Sequence, residues 1–288
     1  MRISMFRYHA LSSQETDIIC HMATEYPGTG EYLHHFDEGI YLCKRCDLPL
    51  FFSNDKFISH CGWPSFDDRI ENSIKEKLDL DGERTEVICS RCHAHLGHLF
   101  KNEGFTKKNR RYCINSLCLR FTPHFTEDGD ERAIFAGGCV WGVEYFLKRL
   151  HGVTRVSSGY IGGHVVNPSY EEVCSETTAH AEAVEVIFNP KKISYESVCK
   201  EFLEIHDPTE HNRQGPDVGS QYRSAIFYLS LDQKQVAKEL LDLLKKKGYK
   251  IETTLDPSSL FYPAESYHQN YYDLKGSTPY CHKKTVRF

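Results

Sequence analysis

Two pairs of cysteines, each pair separated by two residues, constrain the fold of this 288-residue chain more than any other feature. Cys43 and Cys46 form the first pair, and Cys89 and Cys92 form the second. Four thiolates on two such turns are the tetrahedral donor set that Zn²⁺ prefers, and a closed four-sulfur sphere leaves no position for a substrate. The spacing therefore predicts a structural zinc site that cross-links a small β domain.

Two other interpretations of these cysteines are weaker. Twelve cysteines would suit a disulfide framework in a short secreted protein, but this chain is long and its first twenty residues lack the apolar core of a signal peptide. Cys89, Cys92 and His93 also spell the CxxCH haem-attachment motif. Haem attachment requires export and leaves the other CxxC pair without a purpose. We therefore expect a cytoplasmic protein with reduced or metal-bound cysteines.

Charge and hydropathy exclude several classes of partner. The chain carries 35 Lys and Arg against 40 Asp and Glu, for a net charge of −5, which offers no broad basic face for nucleic acid. No stretch approaches the ~18 apolar residues that a membrane span requires. We expect neither nucleic-acid binding nor membrane association.

The pattern of predicted elements changes once along the chain, which indicates a multidomain protein. The polar, acidic run TPHFTEDGDE predicts a linker over residues 122–131, between a domain of residues 1–121 and one of residues 132–288. Short strands and turns dominate the first domain, so we expect it to be mainly β. Strands alternate with amphipathic helices in the second, which predicts a two-layer α/β fold. The last residues, from 258 onward, are predicted to be coil.

A candidate reactive thiol, Cys113, lies between Arg111 and Asn115 in the run RYCIN. Nearby histidines and arginines lower the pKa of a thiol, and His95 and His98 could present both rings to one pocket. Taken alone, these residues suit surface histidines and a strand cysteine equally well.

These residues lie in runs that resemble methionine sulfoxide reductase B (MsrB). The resemblance spans about residues 8 to 123 and rests on CGWPSF, the CxxC before AHLGH, and RYCIN. It implies that Cys113 attacks a sulfoxide sulfur, that Arg111 holds the thiolate and that Cys61 is the resolving thiol. Trp63 would receive the substrate methyl group. The groups that would bind or protonate the departing oxygen are His95, His98 and Asn115.

Cys118 departs from the family pattern, which has a small residue at this position of NSLCLRF. It is either a second partner for Cys113 or, as we favour, a small core residue.

A second candidate thiol, Cys139, follows Gly137 and Gly138 and opens the predicted helix VWGVEYFLKRL. The helix N-terminus carries partial positive charge and unpaired N–H groups, so we expect a lowered thiol pKa here. A core cysteine is the alternative.

The runs GGCVWGVE, NPSYEEVCS, TAHAEAVEV, GPDVGSQYRSAIFY and ESYHQNYY resemble methionine sulfoxide reductase A (MsrA) across residues 132 to 281. The resemblance implies a ferredoxin-like α/β fold with Cys139 as nucleophile and Trp141 as a wall of the methyl pocket. A carboxylic acid whose pKa is raised by burial could protonate the sulfoxide oxygen, although Glu182 could equally be a solvated strand residue. The groups implied to hold the oxygen are Glu182, Tyr170 and Tyr222, with Asp217 as a supporting polar group.

Two positions, Val140 and Cys281, depart from or only loosely match this second family. Val140 stands where the family usually has Phe, which thins one pocket wall. Cys281 matches the C-terminal resolving position without the usual preceding Gly, and Cys174 stands where the family often has a structural cysteine. The run LKGSTPY before Cys281 predicts a flexible tail that brings Cys281 to Cys139.

The two resemblances imply one cycle in both domains. A thiolate attacks the sulfoxide and becomes a sulfenic acid, a second cysteine forms a disulfide, and thioredoxin or a similar dithiol reduces it. Because sulfoxide sulfur is chiral, each epimer requires its own enzyme: the first domain would take the R epimer and the second the S epimer. The expected role is repair after oxidative damage, on oxidised proteins and free methionine sulfoxide, with zinc and no organic cofactor. The alternatives are a peptide-binding module fused to one enzyme, and a thiol peroxidase.

Overall fold

The computed structural model describes residues 6–79 and 82–288. Its Cα positions divide the chain into two compact units, one of Arg7–Pro123 and one that contains His124–Phe288. Within the described residues, no helix combines the length and the apolar character needed to cross a membrane.

The first unit is mainly β. Its one α-helix in the described residues begins with a capping box, in which Ser12 and Glu15 satisfy each other's backbone N–H groups. Two antiparallel sheets follow, with strand orders β2-β1-β9 and β3-β4-β8-β7-β6-β5. The elements are α1 Ser13–His21, β1 Gly39–Cys43, β2 Pro49–Phe52, β3 Lys56–Phe57, β4 Ser65–Phe66, β5 Ile74–Leu78, β6 Thr85–Cys89, β7 His95–Lys101, β8 Arg110–Ile114 and β9 Leu119–Pro123.

Aromatic side chains from both sheets fill the core of the first unit. Phe51 and Phe66 stack with ring centroids 4.2 Å apart, and Tyr41 and Tyr112 are fully buried beside them. Such pairs fix the spacing of the sheets through area burial and ring geometry. The β1–β2 and β6–β7 turns, which carry the CxxC pairs, adjoin this core.

The second unit alternates strands and helices. Its sheet has the strand order β16-β15-β10-β12-β11-β17 and is antiparallel except between β15 and β16. The elements are β10 Glu131–Gly137, α2 Val140–Leu147, β11 Val153–Ile161, α3 Tyr170–Cys174, β12 Ala181–Phe188, α4 Tyr195–Ile205, β13 Arg213–Gln214, β14 Asp217–Val218, β15 Ser224–Tyr228, α5 Leu231–Lys246, β16 Thr254–Pro257, β17 Tyr262–Pro263 and α6 Tyr271–Lys275.

The strand period of two divides the apolar side chains of this sheet between its faces. On β10, Phe135 packs with helices α2, α4 and α5, whereas Ile134 and Ala136 pack on the opposite face with Phe261. Helices therefore cover one face of the sheet and irregular chain covers part of the other. This arrangement confirms the expected α/β character of the second domain.

The structure changes three details of the sequence-based prediction. The linker predicted over 122–131 overlaps the end of β9 and the start of β10, so residues 124–130 join the strands. The last long strand begins at Thr254, later than the run YKIETTL suggested. The stretch from residue 258, which was predicted to be coil, contains β17 and α6, and the tail is packed, with Cys281, His282 and Arg287 buried. The prediction of a flexible tail around Cys281 is therefore wrong.

Candidate metal centre and two thiol sites

The four predicted metal ligands lie together. The sulfurs of Cys43, Cys46, Cys89 and Cys92 are buried and all within 4.8 Å of one another. The Cys43–Cys92 and Cys46–Cys89 sulfur pairs are 3.6 Å apart. Zinc–sulfur bonds of about 2.3 Å in a tetrahedron place the sulfurs about 3.8 Å apart. The cluster therefore fits a zinc ion.

The two cysteine turns have matching backbones. Asp47 and His93, each directly after the second cysteine of a pair, have φ of 56° and 58°. Each donates its N–H to the carbonyl of the first cysteine of its pair. His93 is exposed. Its position in the turn therefore explains the CxxCH sequence without haem attachment.

The first thiol site lies across three adjacent strands. Cys113 on β8 is paired with His98 on β7 and with Ser65 on β4. The Cys61 sulfur lies 3.7 Å from that of Cys113, and Cys118 donates its thiol to the His95 carbonyl instead. The structure therefore brings Cys61 to Cys113 and leaves Cys118 as a buried core residue.

A β-bulge explains how two histidines three residues apart reach the same face. His98 pairs with Glu86 and His95 with Ile88, so Leu96 is an extra residue on β7. The imidazole centroids are 5.5 Å apart. A strict alternation would have placed these rings on opposite faces.

Carboxylates that sequence reasoning missed orient both rings. Glu86 contacts Nδ1 of His95 at 2.7 Å, and Asp79 contacts Nε2 of His98 at 2.7 Å. Burial lowers the pKa of His95 although Glu86 opposes this effect. Nε2 of His95 is buried and meets no hydrogen-bond partner among the described residues. Glu86 lies on β6 and Asp79 directly follows β5, and neither acid stands in a sequence motif that would have indicated its role.

Arg111 is held in place beside the thiol pair. Glu103 accepts two hydrogen bonds from its guanidinium, at 2.7 and 2.8 Å, and the guanidinium lies over the Phe100 ring at 4.4 Å. The hydrogen bond with Cys113 lowers the pKa of Cys61 to about 4. The same contact and burial raise the pKa of Cys113, against the lowering effect of Arg111. The pair therefore favours one negative charge, which these shifts place on Cys61.

A pocket of about 110 Å³ opens beside Cys113. Trp63, His98 and Asn115 line it, and the buried Glu25 supports two of them. The backbone carbonyl of Glu25 accepts a hydrogen bond from the indole N–H of Trp63 at 3.2 Å. The backbone N–H of Glu25 donates to Asn115 Oδ1 at 3.1 Å. Because Asn115 also donates to the Leu96 carbonyl, both ends of its amide have backbone partners.

The second thiol site begins where β10 ends. Cys139 is the N-cap of α2, directly after Gly138, whose φ is +90°. A hydrogen bond with Cys281, burial and the negative charge of Glu182 raise the pKa of Cys139. The helix N-terminus alone predicted the opposite direction, so the buried neighbours decide the outcome.

Glu182 on β12 is the buried acid of this site. Its carboxylate accepts the Val140 N–H at 3.3 Å and is 4% exposed, so it is not a solvated strand residue. Burial, with contributions from Asp217 and Cys281, raises the pKa of Glu182 to about 7. At neutral pH a large fraction of this carboxyl is therefore protonated and can donate a proton. Val140 itself packs into the core under α2.

The predicted tyrosines lie within electrostatic reach of Glu182. Burial and the charge of Glu182 raise the pKa values of Tyr170 and Tyr222. Both phenols therefore stay protonated and can donate hydrogen bonds. Asp217 lies at the rim, where its carboxylate accepts a hydrogen bond from the exposed Tyr280 at 3.1 Å.

Two tail residues that sequence reasoning missed hold Trp141. Its indole stacks on Tyr271 with centroids 3.7 Å apart, and its N–H donates to Nδ1 of His268 at 3.0 Å. Both residues belong to the run ESYHQNYY, whose aromatic content was the available signal.

The structure separates the remaining cysteines by location. Cys281 is buried within hydrogen-bonding reach of the Cys139 thiol. Cys174 is exposed beside Tyr170, and Cys199 is fully buried in the helical core. Of these three cysteines, Cys281 is the one whose interaction with Cys139 shifts the pKa values of both thiols.

Comparisons with known proteins agree with this geometry. Residues 131–287 match the peptide methionine sulfoxide reductase family, and residues 11–123 match the SelR domain. Peptide methionine sulfoxide reductases MsrA of Sulfolobus acidocaldarius and Deinococcus radiodurans are each 51% identical to this chain. The matches cover 52% and 58% of this chain and 86% and 84% of those relatives.

A solved structure shows the same likeness. Mxr1 from Saccharomyces cerevisiae in reduced form is 35% identical, with a TM-score of 0.52 over 57% of this chain and 96% of that one. SelR domains typically bind zinc, in agreement with the four-cysteine cluster. The chain therefore belongs to the peptide methionine sulfoxide reductase family, as an oxidoreductase in which a SelR (MsrB) domain precedes the MsrA domain.

Proposed function

We propose that the first domain reduces the R epimer of methionine sulfoxide and the second domain the S epimer, in free methionine sulfoxide and in oxidised proteins. The observation that carries this proposal is the presence of two separate thiol pairs, Cys113 with Cys61 and Cys139 with Cys281, each beside proton-carrying groups and an indole. A chiral sulfoxide presents its oxygen differently in each epimer, so one pocket cannot place both. The role that follows is protein repair after oxidative damage.

In the first domain, Cys113 is the proposed nucleophile. When the proton shared with Cys61 moves to that sulfur, the negative charge lies on Cys113 beside Arg111. The substrate methyl group packs on Trp63, and His98, oriented by Asp79, donates a proton to the sulfoxide oxygen. Asn115, which lines the pocket, and His95, whose ring lies 5.5 Å from that of His98, are the other groups assigned to the departing oxygen.

In the second domain, Cys139 is the proposed nucleophile and Glu182 the acid. When Glu182 is protonated, it places no negative charge beside Cys139, and this favours the Cys139 thiolate. The same protonated carboxyl can donate its proton to the sulfoxide oxygen. Tyr170 and Tyr222 hold the oxygen, Asp217 supports them, and Trp141 forms the wall against the methyl group.

Both sites then complete the same redox balance. The sulfoxide gives its oxygen to the thiolate, methionine leaves, and the enzyme cysteine becomes a sulfenic acid. The resolving thiol attacks this sulfur, a disulfide forms, and one water leaves. Thioredoxin or a similar dithiol reduces the disulfide by exchange and becomes oxidised.

Zinc and domain organisation complete the proposal. One structural zinc ion bound by Cys43, Cys46, Cys89 and Cys92 would hold two turns of the first domain together. We assign residues 1–121 to the first domain, 122–131 to a linker and 132–288 to the second. The order β15-β10-β12-β11 supports a ferredoxin-like classification of the second domain.

Single substitutions of the two nucleophiles test the proposal. Cys113→Ser should abolish turnover of the R sulfoxide alone, and Cys139→Ser turnover of the S sulfoxide alone, measured as methionine formed from each purified epimer. Cys20→Ser, which changes an exposed cysteine, is the matched control and should keep both activities. Loss of both activities in either nucleophile variant would refute the assignment of one epimer to each site.

A further inference from the structure

His282, directly after the resolving cysteine, has no role in the mechanism described so far. Its imidazole is 5% exposed and lies in the second thiol site. Nε2 contacts the Gly137 carbonyl at 2.7 Å, and Nδ1 lies 3.1 Å from the Cys281 sulfur. The ring thus bridges the strand that leads to Cys139 and the thiol that must attack it.

The Gly137 carbonyl decides which nitrogen carries the proton. A carbonyl oxygen can only accept, so Nε2 must donate to it. In the neutral ring, Nδ1 then has a free lone pair directed at the Cys281 thiol. A neutral imidazole in this orientation can accept the proton of that thiol.

Packing holds the ring in this orientation. A Cβ added to Gly142, on α2, would lie 2.1 Å from Nδ1, so the absence of a side chain at Gly142 makes room for the imidazole. A Cβ on Gly138 would lie 3.5 Å from the same ring. The titratable side chains that interact with His282 or with its thiol partner include Cys139 on α2, Glu182 on β12, His206 after α4, Asp217 on β14, Tyr272 on α6 and Tyr280.

We propose that His282 is the general base of the resolving step in the second domain, an inference that rests on the proposed role of Cys281 as resolving thiol. Nδ1 takes the proton of Cys281, and the resulting thiolate attacks the sulfenic sulfur of Cys139. The S–S bond forms while the S–O bond breaks, so Cys281 is oxidised and the sulfenic sulfur is reduced. The departing hydroxide takes up the proton that Nδ1 accepted from Cys281 and leaves as water, which returns the imidazole to its neutral form.

The need for a base arises only after the first half of the cycle. In the resting site, a hydrogen bond from Cys139 and a smaller contribution from His282 lower the pKa of Cys281 to about 6. Once Cys139 has become a sulfenic acid, its thiol proton is gone, and this hydrogen bond is lost. His282 is then the group that remains in contact with the Cys281 sulfur.

The variant His282→Gln distinguishes a role of His282 as general base from a role as structural spacer. The Gln amide can still donate to the Gly137 carbonyl but cannot accept a proton. We expect methionine release in a single turnover with the S sulfoxide, without reductant, to keep its rate. The rate of disulfide formation should fall by about 10-fold or more at pH 7. This rate is measured by trapping the remaining sulfenic acid with dimedone at successive times. The slowed rate should rise with pH, because hydroxide replaces the lost base. Lys283→Gln, an exposed change next to it, is the matched control.

Two further variants keep the test decisive. Gly142→Ala should displace the imidazole and slow the same step while both thiols remain. Cys281→Ser tests the underlying role: if the sulfenic acid of Cys139 still disappears at the native rate, Cys281 is not the resolving thiol and the proposed function needs another partner. If Cys281→Ser blocks disulfide formation but His282→Gln proceeds at the native rate, or keeps the native pH profile, His282 is a spacer and the inference is refuted.

Discussion

Replacement of Glu182 by Gln should stabilise the second domain at high pH while it weakens the reductase step. Burial raises the pKa of Glu182 to about 7, against an ordinary 4.5. The folded state therefore binds the proton more tightly than the unfolded state does. Stability is retained below pH 4.5 and lost as the pH rises toward 7. At about 1.4 kcal/mol for each pKa unit, the loss at alkaline pH amounts to about 3 kcal/mol.

The amide introduced by Glu182→Gln does not titrate, and its oxygen can still accept the Val140 N–H. The free energy of unfolding of Glu182→Gln relative to the native chain should therefore increase by about 2 to 3 kcal/mol between pH 5 and pH 8. The same variant should release methionine from the S sulfoxide about 10²-fold more slowly in a single turnover, because it cannot deliver a proton.

The tryptophan content makes the assay specific to one domain. The chain has two tryptophans, Trp63 in the first domain and Trp141 in the second. In a Trp63→Phe background, urea unfolding followed by indole fluorescence reports on the second domain alone. Glu185→Gln is a suitable control, because Glu185 lies on the same strand but pairs with Arg132.

Two results would contradict this reasoning. If the stability difference between the native chain and Glu182→Gln does not change with pH, Glu182 has an ordinary pKa and burial does not govern it. If the stability changes as expected but methionine release keeps its rate, Glu182 is a buried acid without a part in proton transfer.

The remaining predictions concern the first domain. Purified protein should contain close to one zinc per chain by metal analysis, and Cys43→Ser should lose the metal and unfold this domain while S-sulfoxide turnover persists. Folded protein without zinc would contradict the four-thiolate assignment. Gly97→Ala should destabilise the first domain by about 1 to 3 kcal/mol in urea unfolding and lower R-sulfoxide turnover, because the added Cβ would lie 2.0 Å from the Cys113 carbonyl oxygen. Gly104→Ala is the matched control, because Gly104 also has a positive φ but an added Cβ there would meet no atom within 4 Å. Equal effects of the two substitutions would refute the steric argument.

Local motifs carried most of what could be predicted about the two domains. The four-cysteine cluster followed from spacing, because a CxxC turn brings two sulfurs together whatever surrounds it. The change from short strands to alternating strands and helices predicted the two domain types, since periodicity depends on neighbouring residues alone. The runs around Cys113 and Cys139 supplied the resemblance that the family comparisons confirm.

The support around the reactive groups could not be predicted in the same way. Glu86 and Asp79 orient His95 and His98 across a sheet, and a bulge at Leu96 aligns the two rings. Neither a strand register nor a bulge leaves a signal in a single sequence of this kind. Glu86 on β6 and Asp79 directly after β5 carry no distinguishing sequence pattern, and only the fold places them next to the histidines.

Charge states and the position of the tail were decided by the tertiary structure alone. The start of a helix predicted a lowered pKa for Cys139, yet Cys281, burial and Glu182 raise it. The Gly- and Pro-containing run before Cys281 predicted mobility, yet packing buries Cys281 and His282 against Gly137 and Gly142. The sequence determines which groups can react, because reactivity belongs to residue type and local spacing. Burial and the contacts between distant segments determine which of those groups hold a proton and which meet, and both exist only once the chain is folded.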